Sequence, residues 1–265
     1  MSLNAFKGAA RSLLGRCLIA SRLHRMALRQ SGVVVAFHRV TDGLPEDDLT
    51  RGSRDFDRFC EFFRDNFDVI SLDAFVSRLE KRESVGGALA ITFDDGYLDN
   101  FEVAAPILKR YGLPATFFVT TRFIDSGAVP WWDRKLAQHP GWMKWDHVRT
   151  LAREGFEIGG HTRTHADLGL LDGPEAEAEI CGSRQDLVEQ LGRAPVHFAY
   201  PYGQPNNLLE RNRQRVIAAG FRSCGSCHGG TVTSQTDPFR LWRVPISLWY
   251  RTPAQFGFGV AARTA

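Results

Sequence analysis

Two short polar runs interrupt apolar stretches in a way that suits catalysis. Thr92-Phe93-Asp94-Asp95-Gly96 ends one apolar run, and His161-Thr162-Arg163-Thr164-His165 follows another. Adjacent carboxylates leave a strand in different directions, so Asp94 and Asp95 can divide the work, one holding a metal and the other handling a proton. Two histidines four residues apart can converge on one ion. A carboxylate and two imidazoles with open positions form the ligand set of a hydrolytic Zn²⁺-type centre, in which water becomes acidic enough to attack near neutral pH. The chemistry expected is hydrolysis.

These residues need strands to present them. Val33 to Phe37 reads as a buried strand, and Phe56, Phe59, Phe62 and Phe63 keep helical spacing. Phe67 to Ile70 reads as a short strand before a helix through Phe75 and Leu79. Ala88 to Phe93 is the next strand, and the helix after it, with Phe101, Ala105 and Leu108, stops near Gly112-Leu113-Pro114. Further strands are expected at Ala115 to Val119, Phe156 to Gly159, Val196 to Tyr200, from Phe221, and at Leu241 to Ile246. Helices are expected at Trp145 to Glu154, Glu175 to Leu191 and Leu208 to Ala219. This alternation predicts an α/β fold, a single closed or nearly closed (β/α) barrel of seven to eight strands. Active sites of such barrels lie beyond the carboxyl ends of the strands, where Asp94/Asp95, His161/His165 and Tyr202 all fall. Gly127 to Pro140, with Trp131 and Trp132, reads as a loop inserted on the same rim.

At 265 residues, 43% hydrophobic and 24% charged, the chain can bury a full core. Five scattered cysteines (Cys17, Cys60, Cys181, Cys224, Cys227) argue against a disulfide framework and for a reducing compartment. No apolar run reaches the length of a membrane span, and a formal charge of +3 is too small to argue for nucleic acid. That charge is unevenly spread, with seven basic residues and no acidic one before Asp42. Residues 1–30 read as one basic amphipathic helix, with Lys7, Arg11, Arg22, Arg25 and Arg29 on one face and Phe6, Ala10, Leu13, Cys17 and Leu28 towards the other. Such a helix either makes peripheral contact with an anionic membrane or packs on the barrel exterior with its charges solvated. Arg11, Arg16 and Arg22 interrupt every stretch that could form the core of a secretory signal. The expected division is a helical extension over 1–30 and a barrel over 31–265, in a protein of the cytoplasm or the inner face of the membrane.

With these residues in view, the chain resembles the polysaccharide deacetylases of carbohydrate esterase family 4, whose shared unit, the NodB homology domain, is a distorted TIM-like barrel. The resemblance runs from about Val33 to about Ser247. Thr92 to Gly96 matches the family's T-F-D-D-G and His161 to His165 its H-[ST]-x-x-H, while Phe37-His38-Arg39-Val40 and Pro201-Tyr202-Gly203 are also similar to family strings. Carried over residue by residue, the resemblance implies Asp94 as general base and Asp95, His161 and His165 as ligands of one divalent ion, Zn or else Co or Ni. It implies the backbone N–H of Tyr202 as an oxyanion donor. The activity implied is hydrolytic removal of an N-acetyl group from an N-acetylhexosamine unit, with Pro201, Tyr202, Trp131 and Trp132 against the sugar.

Three departures from the family pattern shape the expectations. Ala199 stands where the third motif usually begins with an arginine that orients the base, so Arg243 is expected to supply that guanidinium from the next strand end. No histidine follows His228, so His38 is expected as the acid for the leaving amine, with Asp94 acting twice as the alternative. The missing secretion signal favours a lipid-linked or precursor sugar over an extracellular polymer. Deformylation of a lipid-linked amino sugar would use the same centre, and a catalytically weak carbohydrate-binding domain is the rival from another class. Cys224-Gly225-Ser226-Cys227-His228, without a second cysteine pair, reads as buried or loop thiols rather than a second zinc or redox site.

Overall fold

The computed structural model describes residues 3–263, without the side chains of 3–7 and 9, so the faces expected of Phe6 and Lys7 lie outside the described residues. Two helices, α1 (Leu3–Ala20) and α2 (Leu23–Ala27), precede the sheet. Arg22 between them is left-handed, with φ 58°. The basic segment is therefore two helices rather than one, and Arg22, Arg25 and Arg29 do not extend a face of α1.

The sheet begins with β1 (Ser31–Phe37), buried throughout. β2 (Arg39–Val40) and β3 (Thr50–Arg51) form a separate two-stranded ribbon, followed by α3 (Ser53–Asn66), β4 (Asp68–Val69) and α4 (Leu72–Glu80). β5 (Ala88–Phe93) lies parallel to β1, from Val33 beside Leu89 to Phe37 beside Phe93. A π-helical turn leads into α5 (Ala105–Tyr111), which ends at Gly112 with φ 66°, the left-handed stop that glycine favours. The alternation continues through β6 (Thr116–Val119), α6 (Trp145–Arg153), β7 (Glu157–Gly160), α7 (Gly173–Leu191), β8 (His197–Ala199), α8 (Glu210–Ala218) and β9 (Ser223–Gly225).

The order β1-β5-β6-β7-β8-β9 is parallel throughout, and β10 (Val232–Thr233) lies antiparallel to the start of β1. The chain then returns to close the curve. Leu241 bridges Gly225, and β11 (Val244–Pro245) runs parallel beside Val35 and Ala36. This curled mixed sheet with its helices is the expected distorted (β/α) barrel. The strand expected over Leu241 to Ile246 is confined to two paired residues. Pro245 has no N–H to extend a ladder, and the Arg243 side chain is committed elsewhere.

Two apolar layers hold the barrel. Phe37, Phe93 and Phe117 stack in series, with centroids 5.5 and 4.9 Å apart, beneath Phe56, Phe59 and Phe63 of α3. Alternate strand residues, Val34, Ala90, Phe118 and Ala199, belong to a separate cluster. Each fully buried phenylalanine contributes about 1.5–3 kcal/mol. A final helix, α9 (Pro253–Ala261), which the sequence reading did not anticipate, brings Phe256 to 5.4 Å from Phe63. No helix among the described residues is long and apolar enough to cross a membrane, and all five cysteines are free.

Candidate active site

The two carboxylates part where β5 ends. Asp94 keeps the course of the sheet, its N–H donating to the Phe37 carbonyl at 2.9 Å. Asp95 turns left-handed at φ 75°, followed by Gly96 at φ 93°. Thr162, His165 and Tyr202 are left-handed too, so four of the seven non-glycine residues with positive φ among the described residues gather here. Such backbone costs about 1–3 kcal/mol per residue and persists only where its surroundings hold it. It aims side chains where regular backbone would not.

Asp95, His161 and His165 converge. Asp95 Oδ1 lies 3.3 Å from His161 Nε2 and 3.2 Å from His165 Nε2, and all three residues are buried. The segment from His161 to His165 is not helical. Its left-handed turns fold it so that the two rings face each other with centroids 5.0 Å apart. His161 Nδ1 lies 2.8 Å from the Ala199 carbonyl. A carbonyl only accepts, so Nδ1 carries the proton and Nε2 turns a lone pair towards Asp95. Asp95 Oδ1 itself has no hydrogen-bond donor although it is buried. An anionic oxygen facing an imidazole lone pair calls for a cation between them. One carboxylate oxygen and two imidazole nitrogens form a donor set suited to Zn²⁺ and similar ions, so the residues present fit a divalent metal.

Asp94 looks the other way, into Arg243. Burial pushes its carboxyl up, but Arg243 together with His161 and His38 outweighs burial and holds it below the usual carboxylate range. Arg243 Nη1 and Nη2 each donate to one Asp94 oxygen at 2.7 Å. The guanidinium is fixed in turn by Ser226 O at 2.5 Å and Thr92 Oγ1 at 3.1 Å. An arginine from the closing segment thus stands against Asp94, while Ala199 gives only its carbonyl, to His161.

His38 follows β1 and is half-buried. Its ring, the Asp94 carboxylate and Cys227 Sγ form one cluster, with potential ligand atoms within 4.8 Å of one another. Burial draws the His38 pKa below its ordinary value, offset only in part by Asp95 and Asp94. Burial also pushes the Cys227 thiol up to about 12, so it is neutral near pH 7. The sequence led to a buried or loop thiol at Cys227, but not to its place beside His38 and Asp94. Cys224 occupies a different environment, donating to Phe239 O at 3.0 Å.

Aromatic side chains wall the mouth. The ring of Trp132 lies 4.6 Å and that of Tyr202 4.9 Å from the His165 ring. Exposed Trp131 donates Nε1–H to the Tyr202 hydroxyl at 3.3 Å, and Pro201 is buried behind it. Residues that the sequence reading missed hold this wall. Trp132 Nε1–H donates to Tyr97 Oη at 2.9 Å, Tyr97 donates to Asp133 Oδ2 at 2.8 Å, and Arg39 Nη1 reaches Asp133 Oδ1 at 2.5 Å. Arg39 sits inside the Phe37-to-Val40 string and Asp133 directly follows the tryptophan pair, so both had a positional signal. On the other side, Asn100 Nδ2 donates to the His38 carbonyl at 2.7 Å, and Asp99 Oδ1 accepts the Val40 N–H at 2.9 Å.

A family model described as polysaccharide deacetylase matches residues 81–223. The Bacillus subtilis (strain 168) protein YxkH, which bears that family's name, is 22% identical over 216 residues, 81% of this chain and 71% of its own. A chitooligosaccharide deacetylase of Rhizobium leguminosarum bv. trifolii is 30% identical over 134 residues, and the match spans only 53% of that protein and 50% of this chain. The Streptococcus pyogenes deacetylase PplD, solved in complex with acetate, superimposes with a TM-score of 0.72 at 19% identity, covering 85% of this chain and 96% of that one, a likeness of fold. The family match takes in more than half of the chain, including the Asp pair, both histidines and the Pro201-Tyr202 turn. With the barrel and its rim cluster, it makes this protein a member of the polysaccharide deacetylase family.

Proposed function

We propose that the protein removes the N-acetyl group from an N-acetylhexosamine unit of a glycan or its lipid-linked precursor, with one divalent ion held by Asp95, His161 and His165. The observation that carries this reading is the buried Asp95 Oδ1, without a donor and facing two imidazole nitrogens, beside an Asp94 already clamped by arginine. When bound, the ion supplies Lewis acidity towards the amide carbonyl and lowers the pKa of water.

The remaining work falls to side chains of this chain. Asp94, oriented by Arg243, keeps lone pairs free to take a proton from the attacking water. The water oxygen bonds to the acetyl carbon, the C–N bond breaks, and acetate and a free amine leave. The Tyr202 N–H has no acceptor among the described residues and is available to the oxyanion. The leaving nitrogen receives its proton from Asp94 directly or through His38, which shares its cluster. A pH–rate profile whose basic limb survives His38→Ala assigns the acid to Asp94, and a lost limb assigns it to His38. Trp131, Trp132 and Tyr202 offer apolar faces to a sugar ring. The name of the Rhizobium relative supports a substrate of the N-acetylglucosamine type.

The test is elemental analysis of the wild type beside His165→Ala and Asp95→Ala, coupled to acetate release from N-acetylated chito-oligosaccharides. About one ion per chain, lost in both variants together with acetate release, supports the reading. No ion after incubation with Zn²⁺, Co²⁺ or Ni²⁺ would sink the hydrolase and leave a carbohydrate-binding role. Formate instead of acetate, from N-formylated sugars, would move the assignment to deformylation.

A further inference from the structure

α1 packs in the opposite sense from that expected of an amphipathic helix. Its small residues face inward: a Cβ on Gly15 would lie 1.9 Å from the Ala254 carbonyl oxygen, so only glycine fits that crossing with α9. Ser12 and the Gly8 carbonyl accept from Gln255 Nε2 at 3.0 and 3.1 Å on the same side. Two of its large apolar residues face out, while Leu18 and Ile19 are half-buried, Ile19 against Gly257 of α9. Leu13 is 65% exposed, and Leu14 and Cys17 are exposed beside it. Leu23 and Met26 continue the exposure beyond the turn, whereas Leu28 is buried in the core. Four of the nine large hydrophobic residues exposed among the described residues thus lie between Leu13 and Met26. A concentration of that kind on a surface calls for a partner.

The charge around it selects the partner. Arg16, Arg22, Arg25 and Arg29 are exposed, and none forms an ion pair among the described residues. No acidic residue precedes Asp42. Unneutralised guanidinium groups beside exposed leucine and methionine match a surface that offers anionic headgroups above an apolar layer. The patch also reaches the catalytic rim. Arg11 stacks over Trp249 at 4.2 Å, and exposed Trp249 follows the carboxyl end of β11.

We infer that α1, α2 and Trp249 form a docking face for an anionic lipid bilayer, with Leu13, Leu14, Leu23 and Met26 entering the headgroup boundary and the arginines pairing with lipid phosphates. The face runs from Trp249, beyond the carboxyl end of β11, to α2 beside the amino ends of β1 and β5, so the docked barrel lies on its side with one edge of its rim at the lipid surface. A sugar carried on a lipid then reaches Asp94 and Asp95 without leaving the leaflet, a link that rests on the deacetylase reading above.

The test is co-sedimentation of the full chain with vesicles of phosphatidylcholine alone or with about one-third phosphatidylglycerol. The expected result is binding to the anionic vesicles only, weakened at least about tenfold when salt rises from roughly 0.1 to 1 M. The Leu13→Ser/Leu14→Ser double variant and, separately, Arg16→Glu/Arg29→Glu should each lower binding about tenfold or more. Both should keep the wild-type melting temperature and wild-type acetate release from soluble chito-oligosaccharides. Loss of acetate release in every form, with vesicle binding intact, strikes the deacetylase reading and leaves the docking face standing. Failure to bind anionic vesicles at low salt overturns the inference. So does a concentration-dependent dimer without vesicle binding that Leu13→Ser/Leu14→Ser dissolves, because a second copy of the chain then covers the face.

Discussion

Arg243 and Asp94, 149 positions apart in the chain, meet through two parallel hydrogen bonds of 2.7 Å in a site where neither side chain is more than 2% exposed. A fork-to-fork pair fixes the plane of the carboxylate as well as its charge. Arg243→Ala should therefore lower kcat by about 10²–10⁴ while ion content stays at wild type, because Asp95, His161 and His165 are untouched. The unpaired Asp94 should also destabilise the protein by about 3–5 kcal/mol. Arg243→Lys, which keeps the charge and loses the fork, should fall between. Wild-type turnover in Arg243→Ala would remove Asp94 from the role of oriented base.

Chelation is expected to weaken the fold. Without a cation, Asp95 Oδ1 faces two imidazoles with no donor of its own. Excess Zn²⁺ at about one hundred times its Kd should stabilise the protein by roughly 2.7 kcal/mol, a rise of about 5–10 °C in Tm for a domain of this size. Asp95→Asn should abolish most of the difference between metal-loaded and chelated samples. Scanning calorimetry that finds identical Tm values for both wild-type samples would contradict the metal assignment.

Asp99 gives the fold a pH dependence of its own. Burial pushes its carboxyl up to about 6, and the hydrogen bonds from Val40 N–H and Asn100 only partly resist. The folded protein thus binds more protons than the unfolded chain between the ordinary pKa of 3.8 and about 6. Stability falls as pH rises through that window and is level above it. Asp99→Asn retains an acceptor for Val40 and removes the buried charge. It should be more stable than wild type at pH 8, by on the order of 2–3 kcal/mol, with the advantage gone near pH 4. Urea denaturation at both pH values measures this, and an equal difference at each would refute it.

Tyr97→Phe tests the wall behind His165. The substitution strips Asp133 of a donor and Trp132 of an acceptor, at a cost of about 1–3 kcal/mol. KM for chito-oligosaccharides should rise several-fold with ion content unchanged. Wild-type KM would show that Trp132 does not contact the sugar.

The elements legible in the sequence were those whose periodicity is their packing. β5 is buried at every position and appears as a run that is apolar except for Thr92 and ends at Asp94, while Phe56, Phe59 and Phe63 of α3 announce their spacing. β2, β3 and β10 have two residues each, too few to show a period. α9 escaped because Gly257 and Gly259 weaken its helix propensity, and its place comes from contact with α1 and the phenylalanines of α3. At the site, the Asp pair and both histidines were readable as strings, and Arg243 was found because a guanidinium was missing elsewhere. Tyr97, Asp133 and the place of Cys227 beside His38 and Asp94 were not, since they come from loops that meet only in three dimensions. The single basic helix failed at Arg22, where a left-handed residue interrupts a charge pattern that periodicity alone would carry through.

The closing side of the barrel consists of one bridge, Gly225 to Leu241, and a two-residue strand stopped by Pro245, with Arg243 between them. Two ladder pairs to β1 and the bridge to Gly225 are all that a local opening of this stave has to part. Each opening withdraws the guanidinium from Asp94 while Asp95 and the two histidines stay on intact strands. Arg243 would then act as a thermal fuse: on heating, turnover is expected to fail before the ion proposed at Asp95, His161 and His165 is released.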